Sequence, residues 1–128
     1  MYEKFSKDSM KLLAASQEEA GEWRHRYVGT EHLLLAALRL EGSRVYKFLL
    51  ESGLTYERVA RIIDRQKGRG KLHLPPDELE PTQRLRRVMK LSYEEARRSG
   101  SETIEPEHLI LAVLREGECT AAEILRAH

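Results

Sequence analysis

Cysteine occurs once in the 128 residues, at Cys119. A single thiol excludes an internal disulfide and the ligand set of a structural zinc site, and it fits a reducing compartment. Charge of one sign is also missing. The 22 basic side chains are balanced by 21 acidic ones, for a formal charge of +1. No overall field pulls such a chain onto nucleic acid or anionic lipid, so any charge-based recognition is local.

Long apolar runs are absent as well. The longest, Leu33 to Leu38, stops at Arg39, far below the roughly 20 residues that cross a bilayer. The amino terminus, MYEKFSKDSMKLL, mixes charge into its first turns and has no export-signal pattern. Together these features predict a cytoplasmic protein. Catalytic signatures are missing too. His32 and His108 belong to no HxxxH or HExxH pair, and Glu–His neighbours on a helix point about 100° apart, which suits one metal poorly. Cys119 has no identified base. Gly68-Arg69-Gly70-Lys71 lacks the spacing and hydroxyl of a GxxxxGK[ST] phosphate loop. The basic stretch Lys67, Arg69, Lys71 has no interleaved aromatics and lies beside Asp77, Glu78 and Glu80, so it predicts a solvated linker rather than a nucleic-acid surface. No enzyme, cofactor or metal is expected.

What the chain has is a duplication. Sliding the sequence on itself by 76 residues, without a gap, lays Ser16–Ala20 (SQEEA) on Ser92–Ala96 (SYEEA) and TEHLLLAALR on PEHLILAVLR. Apolar positions follow: Leu12 and Leu13 fall on Val88 and Met89, and Val45, Phe48 and Leu49 on Ala121, Ile124 and Leu125. Their spacings are three and four, the stripe of an amphipathic helix, and no period-two alternation is sustained.

The chain therefore reads as all-α, a single domain over 1–128. It divides into repeat one over 1–65, a Gly/Pro-rich linker over 66–80 and repeat two over 81–128. Two tandem four-helix repeats about a pseudo-two-fold axis are the economical arrangement. Ser6 and Thr82 cap the first helices, which run to about Gly21 and Arg98. Second helices open at TEHLL and PEHLI, where Pro106 suits a first helical position, and stop at Gly42 and Gly117. A third short helix follows, closed in repeat one by Gly53. Thr55 caps a fourth helix with Val59, Ile62 and Ile63, while the second copy reaches His128 about where its own would start, so either that copy is truncated or the chain is a fragment.

Within the repeated string the leucines and alanines read as a buried helix. Glu31 and Glu107 sit in first turns, where the helix dipole favours a carboxylate by about 0.3–1 kcal/mol. The histidines read as packed residues donating to nearby carbonyls, and Trp23, Tyr27, Tyr46 and Tyr56 as large amphipathic side chains, mostly half-buried.

Phe5-Ser6, the SQEEA and SYEEA segments, Val28-Gly29-Thr30-Glu31-His32-Leu33, Pro106-Glu107-His108-Leu109, Leu114-Arg115-Glu116-Gly117-Glu118 and Ser52-Gly53-Leu54 carry a resemblance covering almost the whole chain. It resembles the Clp N-terminal domain, the double-repeat module at the front of Clp-type AAA+ unfoldases, most closely the ClpC type. That likeness implies a non-catalytic domain that engages adaptor proteins and protein substrates, and that serves an ATPase ring and partner peptidase indirectly. No nucleic-acid or membrane partner is implied, and the isolated domain is expected to be monomeric. In ClpC-type members it also implies recognition of phosphoarginine, with the acids of the Glu-His pairs, Glu31 and Glu107, on the guanidinium.

Thr30 adjoins the first acid, and Ser6 and Thr82, at helix starts, are candidate phosphate-side donors. Pro106 stands where repeat one has Thr30, which predicts an altered or absent second site. The bulky Trp23-Arg24-His25 predicts a diverged adaptor surface. The alternative is a free-standing regulatory relative that sequesters substrates or ligands in competition with the unfoldase.

Overall fold

A computed structural model describes residues 2–127. Repeat one holds α1 (Lys7–Glu22), α2 (Thr30–Ala37), α3 (Arg44–Glu51) and α4 (Tyr56–Gln66). Repeat two holds α5 (Gln83–Arg98), α6 (Pro106–Glu116) and α7 (Thr120–Ala127). The all-α expectation holds, with two small additions that period-two scanning cannot see. These are β1 (Tyr27–Val28) and β2 (Glu80–Pro81), a parallel pair of two residues each.

The helix starts are where their chemistry puts them. Ser6 accepts from the Ser9 N–H at 3.1 Å, and Thr82 from the Leu85 N–H at 3.1 Å. Ser43 and Thr55 cap α3 and α4 in the same way. Such hydroxyls satisfy one of the four N–H groups that a helix start leaves unpaired.

One stop differs from expectation. α2 ends at Ala37, five residues before Gly42, with the Arg39 N–H turned onto the Ala36 carbonyl. Arg39, just beyond the helix, pairs with Glu19 on α1; its image Arg115 makes the same pair with Glu95 from within α6, which runs on to Glu116, so that contact does not itself set the stop.

The repeats exchange contacts reciprocally. Val28 pairs with Pro81 through β1 and β2, and Ile104 forms an isolated parallel bridge with Phe5. Position 28 matches 104 in the duplication, and 5 matches 81, so one contact is the image of the other. The Thr82 N–H donates to Val28 at 2.9 Å, and the Ser6 N–H donates to Ile104 at 3.0 Å. Each first helix is thus entered beside the start of the other repeat's second helix. The second helix of each repeat also packs on the third helix of the other, α2 on α7 and α6 on α3. Between these lies one core in which Leu12, Leu33, Leu35, Leu49, Val88 and Leu109 are fully buried. Burying such side chains contributes about 1.5–3 kcal/mol each.

α4 is the one helix without an image among the described residues. It packs on α2. Leu35 on α2 and Leu38 just after it are 0% and 4% exposed, whereas their counterparts on α6, Leu111 and Leu114, are 47% and 41% exposed.

The segment after α4 is largely exposed, as its composition suggests, but it is fastened to the end of α1 over residues 68–70. The Gly70 N–H donates to the Trp23 carbonyl at 2.9 Å, and Arg69 lies 4.7 Å over the Trp23 ring while donating to Glu22 O. A Cβ on Gly70 would stand 1.9 Å from the Arg24 carbonyl, so only glycine permits this approach. Trp23 and His25 are buried beneath it.

Candidate functional site

Most polar residues of the duplicated string have the same structural task in both copies. Ser16 and Ser92 are buried and return their hydroxyls to carbonyls of their own helices, Leu12 and Met89. Glu19 is bound by Arg39 at 2.6 Å, and its image Glu95 by Arg115, the image of Arg39, at 2.7 Å. In repeat one Tyr56 completes the pair, donating to Glu19 at 2.7 Å and accepting from Arg39 at 2.9 Å. Burial nevertheless pushes the Glu19 carboxyl above the ordinary range, against the opposing pull of Tyr56 and Arg39.

The histidines are third residues of their helices and reach back to the residue before the helix. His32 Nδ1 accepts from the Gly29 N–H at 2.8 Å, and His108 Nδ1 from the Glu105 N–H at 2.8 Å. The expected bond to a carbonyl is therefore corrected: imidazole takes the place that Glu or Gln holds in a capping box, accepting rather than donating there. With Nδ1 bare, the neutral ring carries its hydrogen on Nε2. His108 presents it to Ser99 Oγ at 2.9 Å. His32 presents it to His25 Nδ1 at 2.8 Å, and His25 Nε2 in turn lies 2.7 Å from the Gly68 carbonyl. This chain is satisfied only when both rings are neutral. Burial accordingly lowers the pKa of His32 to about 4, His25 and Lys67 adding to the fall and Glu31 opposing it. Among the described residues no cluster of His, Cys, Asp or Glu has the makings of a metal site. Cys119 is buried and its thiol is pushed up by that burial.

Glu31 and Glu107 are the exception to this sameness. Glu31 is 7% exposed. Its carboxylate lies against Gly29, where an added Cβ would come within 2.2 Å of Oε1, and it accepts from its own backbone N–H. Lys67 Nζ stands 3.3 Å from Oε2. Burial would raise this carboxyl, but the His32 ring, the backbone N–H and Lys67 outweigh it and hold the group below the usual carboxylate range.

In repeat two the position of Gly29 is taken by Glu105, whose Cβ fills the place where a carboxylate would fold back. The Glu107 side chain is 42% exposed, and its nearest basic partner is Arg44 at 3.9 Å, a side chain itself 91% exposed. Glu107 opens onto a cleft of about 610 Å³ between α1, α3 and α6, lined also by Asp8, Lys11, Leu40, Glu41, Ser43 and Glu105.

The other sequence candidates separate. Thr30 is 2% exposed, and its hydroxyl accepts from the Ala121 N–H at the start of α7, 3.2 Å away. The residue before α7 is Cys119, where α3 has the capping Ser43. Thr30 thus adds a second acceptor at the start of α7, beside the Cys119 sulfur that takes the Ala122 N–H, while its image Pro106 has no hydroxyl and α3 is capped by Ser43. Ser6 and Thr82 act as caps at the starts of α1 and α5, and neither is among the residues lining the Glu107 cleft. At the corresponding place beside repeat one, Arg84 is held by Glu116 at 2.6 Å and Glu118 at 3.3 Å. Lys67, Gly29 and Arg44 carry no sequence signal of their own. Only the comparison of Gly29 with Glu105 at the same register marks the place where the repeats diverge.

Residues 4–128 match the Clp repeat (R) N-terminal domain. The chain belongs to that family. Clp repeat relatives include the chaperone protein ClpB of Oceanobacillus iheyensis, 37% identical over 98% of this chain and 15% of its own length. They also include the negative regulator of genetic competence ClpC/MecB of Bacillus subtilis, 35% identical over 98% of this chain and 15% of its own. The chain thus spans under a sixth of the curated relatives it matches. The Clp repeat fold is also that of the ClpD N-terminal domain of Arabidopsis thaliana, with a TM-score of 0.68 at 19% identity over 99% of this chain and 92% of the other. The Hsp104 N-terminal domain of Candida albicans shares it, with a TM-score of 0.74 at 17% identity over 98% and 81%. No helix among the described residues of this Clp repeat domain is long and apolar enough to cross a membrane.

Proposed function

We propose that this Clp repeat domain is the non-catalytic recognition domain of a ClpC-like ATP-dependent unfoldase, engaging adaptor proteins and protein substrates, and that its cleft at Glu107 binds phosphoarginine-marked chains. The observation that supports the ligand is the pairing of signs in one open cleft. Glu107 offers a half-exposed carboxylate without a close partner, and Lys11 and Arg44 stand on the same walls. A guanidinium forks onto a carboxylate, and a phosphate on its nitrogen needs cations within reach of that same group. The acids Asp8, Glu41 and Glu105 select against a phosphate without a guanidinium, while Lys11 and Arg44 are the groups that would prefer the phosphorylated guanidinium to plain arginine.

The test is an NMR amide-shift titration of the chain with phosphoarginine, using arginine and phosphoserine as controls. Saturable shifts at the start of α6, lost in Glu107→Gln and far weaker with either control, are expected. Equal response to phosphoserine, or no shift around Glu107, removes phosphoarginine and leaves unmodified protein and adaptor binding as the function.

A further inference from the structure

The duplicated motif presents two acids, but the surroundings of the first are already complete. The Glu31 carboxylate is folded against Gly29 in a space that any side chain at position 29 would fill. Lys67, at the end of α4, places its ammonium 3.3 Å from the outer oxygen, where an incoming guanidinium would have to stand. Lys67 belongs to a fastened segment: the next carbonyl, Gly68, lies 2.7 Å from His25 Nε2, and Gly70 is bonded to Trp23. Repeat two has none of these parts among the described residues. No α4 counterpart delivers a lysine, and Glu105 replaces the glycine.

We infer that Lys67 is a built-in occupant of the Glu31 carboxylate, so that the two acids are presented unequally: Glu107 directly, and Glu31 only when the segment carrying Lys67 lifts. As a statement about ligand binding this rests on the proposed function, whereas the stowing of Glu31 stands independently of any ligand. The domain then takes one cationic group at rest and a second after release of the segment. Lys67 acts here as a competitor tethered to the site, at an effective concentration that a free ligand must exceed.

Two variants remove the two halves of the arrangement. Lys67→Met keeps the aliphatic stem and deletes the ammonium. Gly29→Ala places a methyl where the carboxylate lies; the backbone there, at φ −101° and ψ 177°, accepts alanine without strain, and the end of a flexible side chain is what must move. The first readout needs no ligand: carbodiimide coupling of an amine to carboxylates in the intact chain, followed by mass spectrometry. Glu31 is expected to label about tenfold more slowly than Glu107, as a group that reacts only through local opening, and both variants should bring it toward the Glu107 rate. Equal labelling of the two acids in the wild type, or no change in either variant with thermal melting intact, overturns the inference.

The second readout is the phosphoarginine titration. One saturating set of shifts in the wild type and a second set at the start of α2 in either variant are expected. Two sets in the wild type overturn the inference while sustaining the proposed ligand. Slow Glu31 labelling that both variants relieve, with no binding to any form, sustains the stowing and overturns the ligand instead.

Discussion

In repeat one, Glu31 follows a glycine two positions earlier and turns back over its own helix start, beneath the lysine that ends α4. In repeat two, Glu107 follows Glu105 two positions earlier and turns out into a cleft. The two acids share a motif, a helix position and a neighbouring histidine that does the same capping work. Among the described residues the difference comes from one missing Cβ and from α4, and it shows that duplicated sequence preserves a side chain's address more firmly than its surroundings. Ser92, Glu95 and His108 are buried like their images in repeat one, and only the first-turn acid is closed over in repeat one and left half-exposed in repeat two.

The comparison is broken most forcefully in the apolar layer. Leu35→Ala removes a side chain sealed under α4 and should destabilise the fold by about 2–5 kcal/mol. Leu111→Ala, at the same register on α6, should stay within about 0.5 kcal/mol. Urea midpoints of the two variants measure the contrast, and equal losses would mean that α4 does not shield α2.

The next effect is the acid sensitivity that His32 contributes. The folded-state pKa of His32 is lowered from 6.5 to about 4, so the unfolded chain binds the extra proton in that window. The His32 contribution is complete above pH 6.5, declines as the pH falls from there, and is lost by about 4. At about 1.4 kcal/mol per unit, the decline sums to about 3 kcal/mol. Unfolding free energies measured across this range should slope in the wild type and flatten in His32→Gln, whose amide oxygen can still accept the Gly29 N–H. An unchanged slope in that variant would assign the titration elsewhere.

Smaller is the effect of Tyr56→Phe. It takes from Glu19 a hydrogen bond that Glu95 does without, and should cost about 1 kcal/mol in a denaturant melt. A neutral result would make the Glu19–Arg39 pair as self-sufficient as Glu95–Arg115. The smallest contrast is between the acids themselves. Glu31→Gln should cost about 1 kcal/mol above pH 4.5, the ordinary carboxyl value, and less as acid protonates the wild-type group. Glu107→Gln should be neutral within about 0.5 kcal/mol. A neutral Glu31→Gln would count against the Lys67 contact.

Much of this was legible from spacing. The apolar stripes, the gapless 76-residue register and the capping residues Ser6, Thr55 and Thr82 all rest on local chemistry, and each appears where that chemistry requires. The end of α2 was not legible: the helix stops at Ala37 without reaching Gly42, and the Arg39–Glu19 pair does not mark the place, since Arg115 makes the same contact from within the longer α6. The role of Thr30 was hidden because its hydroxyl serves α7, in the other repeat. The fastened course of residues 67–70 turns on Gly70 meeting the Arg24 carbonyl, and in sequence a glycine needed for room looks the same as one needed for flexibility. Glu31 and Glu107 were legible as candidates, but their inequality was not, since it resides in what surrounds them.

The reciprocal pairs, Val28 with Pro81 and Phe5 with Ile104, have a consequence for how the chain assembles. Each half completes the other's first helix entry, so the molecule is an intramolecular dimer whose subunits hold each other by the wrist. Neither half should be stable by itself. The closing contacts join residues distant in the chain, so their loop-closure entropy is lost before the core rewards it, and folding should be slower than for a helical bundle of neighbouring contacts. Cutting the chain between Leu72 and Leu74, in the exposed stretch beyond Gly70, should give two pieces that are unfolded apart and regain helix when mixed, with a midpoint that depends on their concentration.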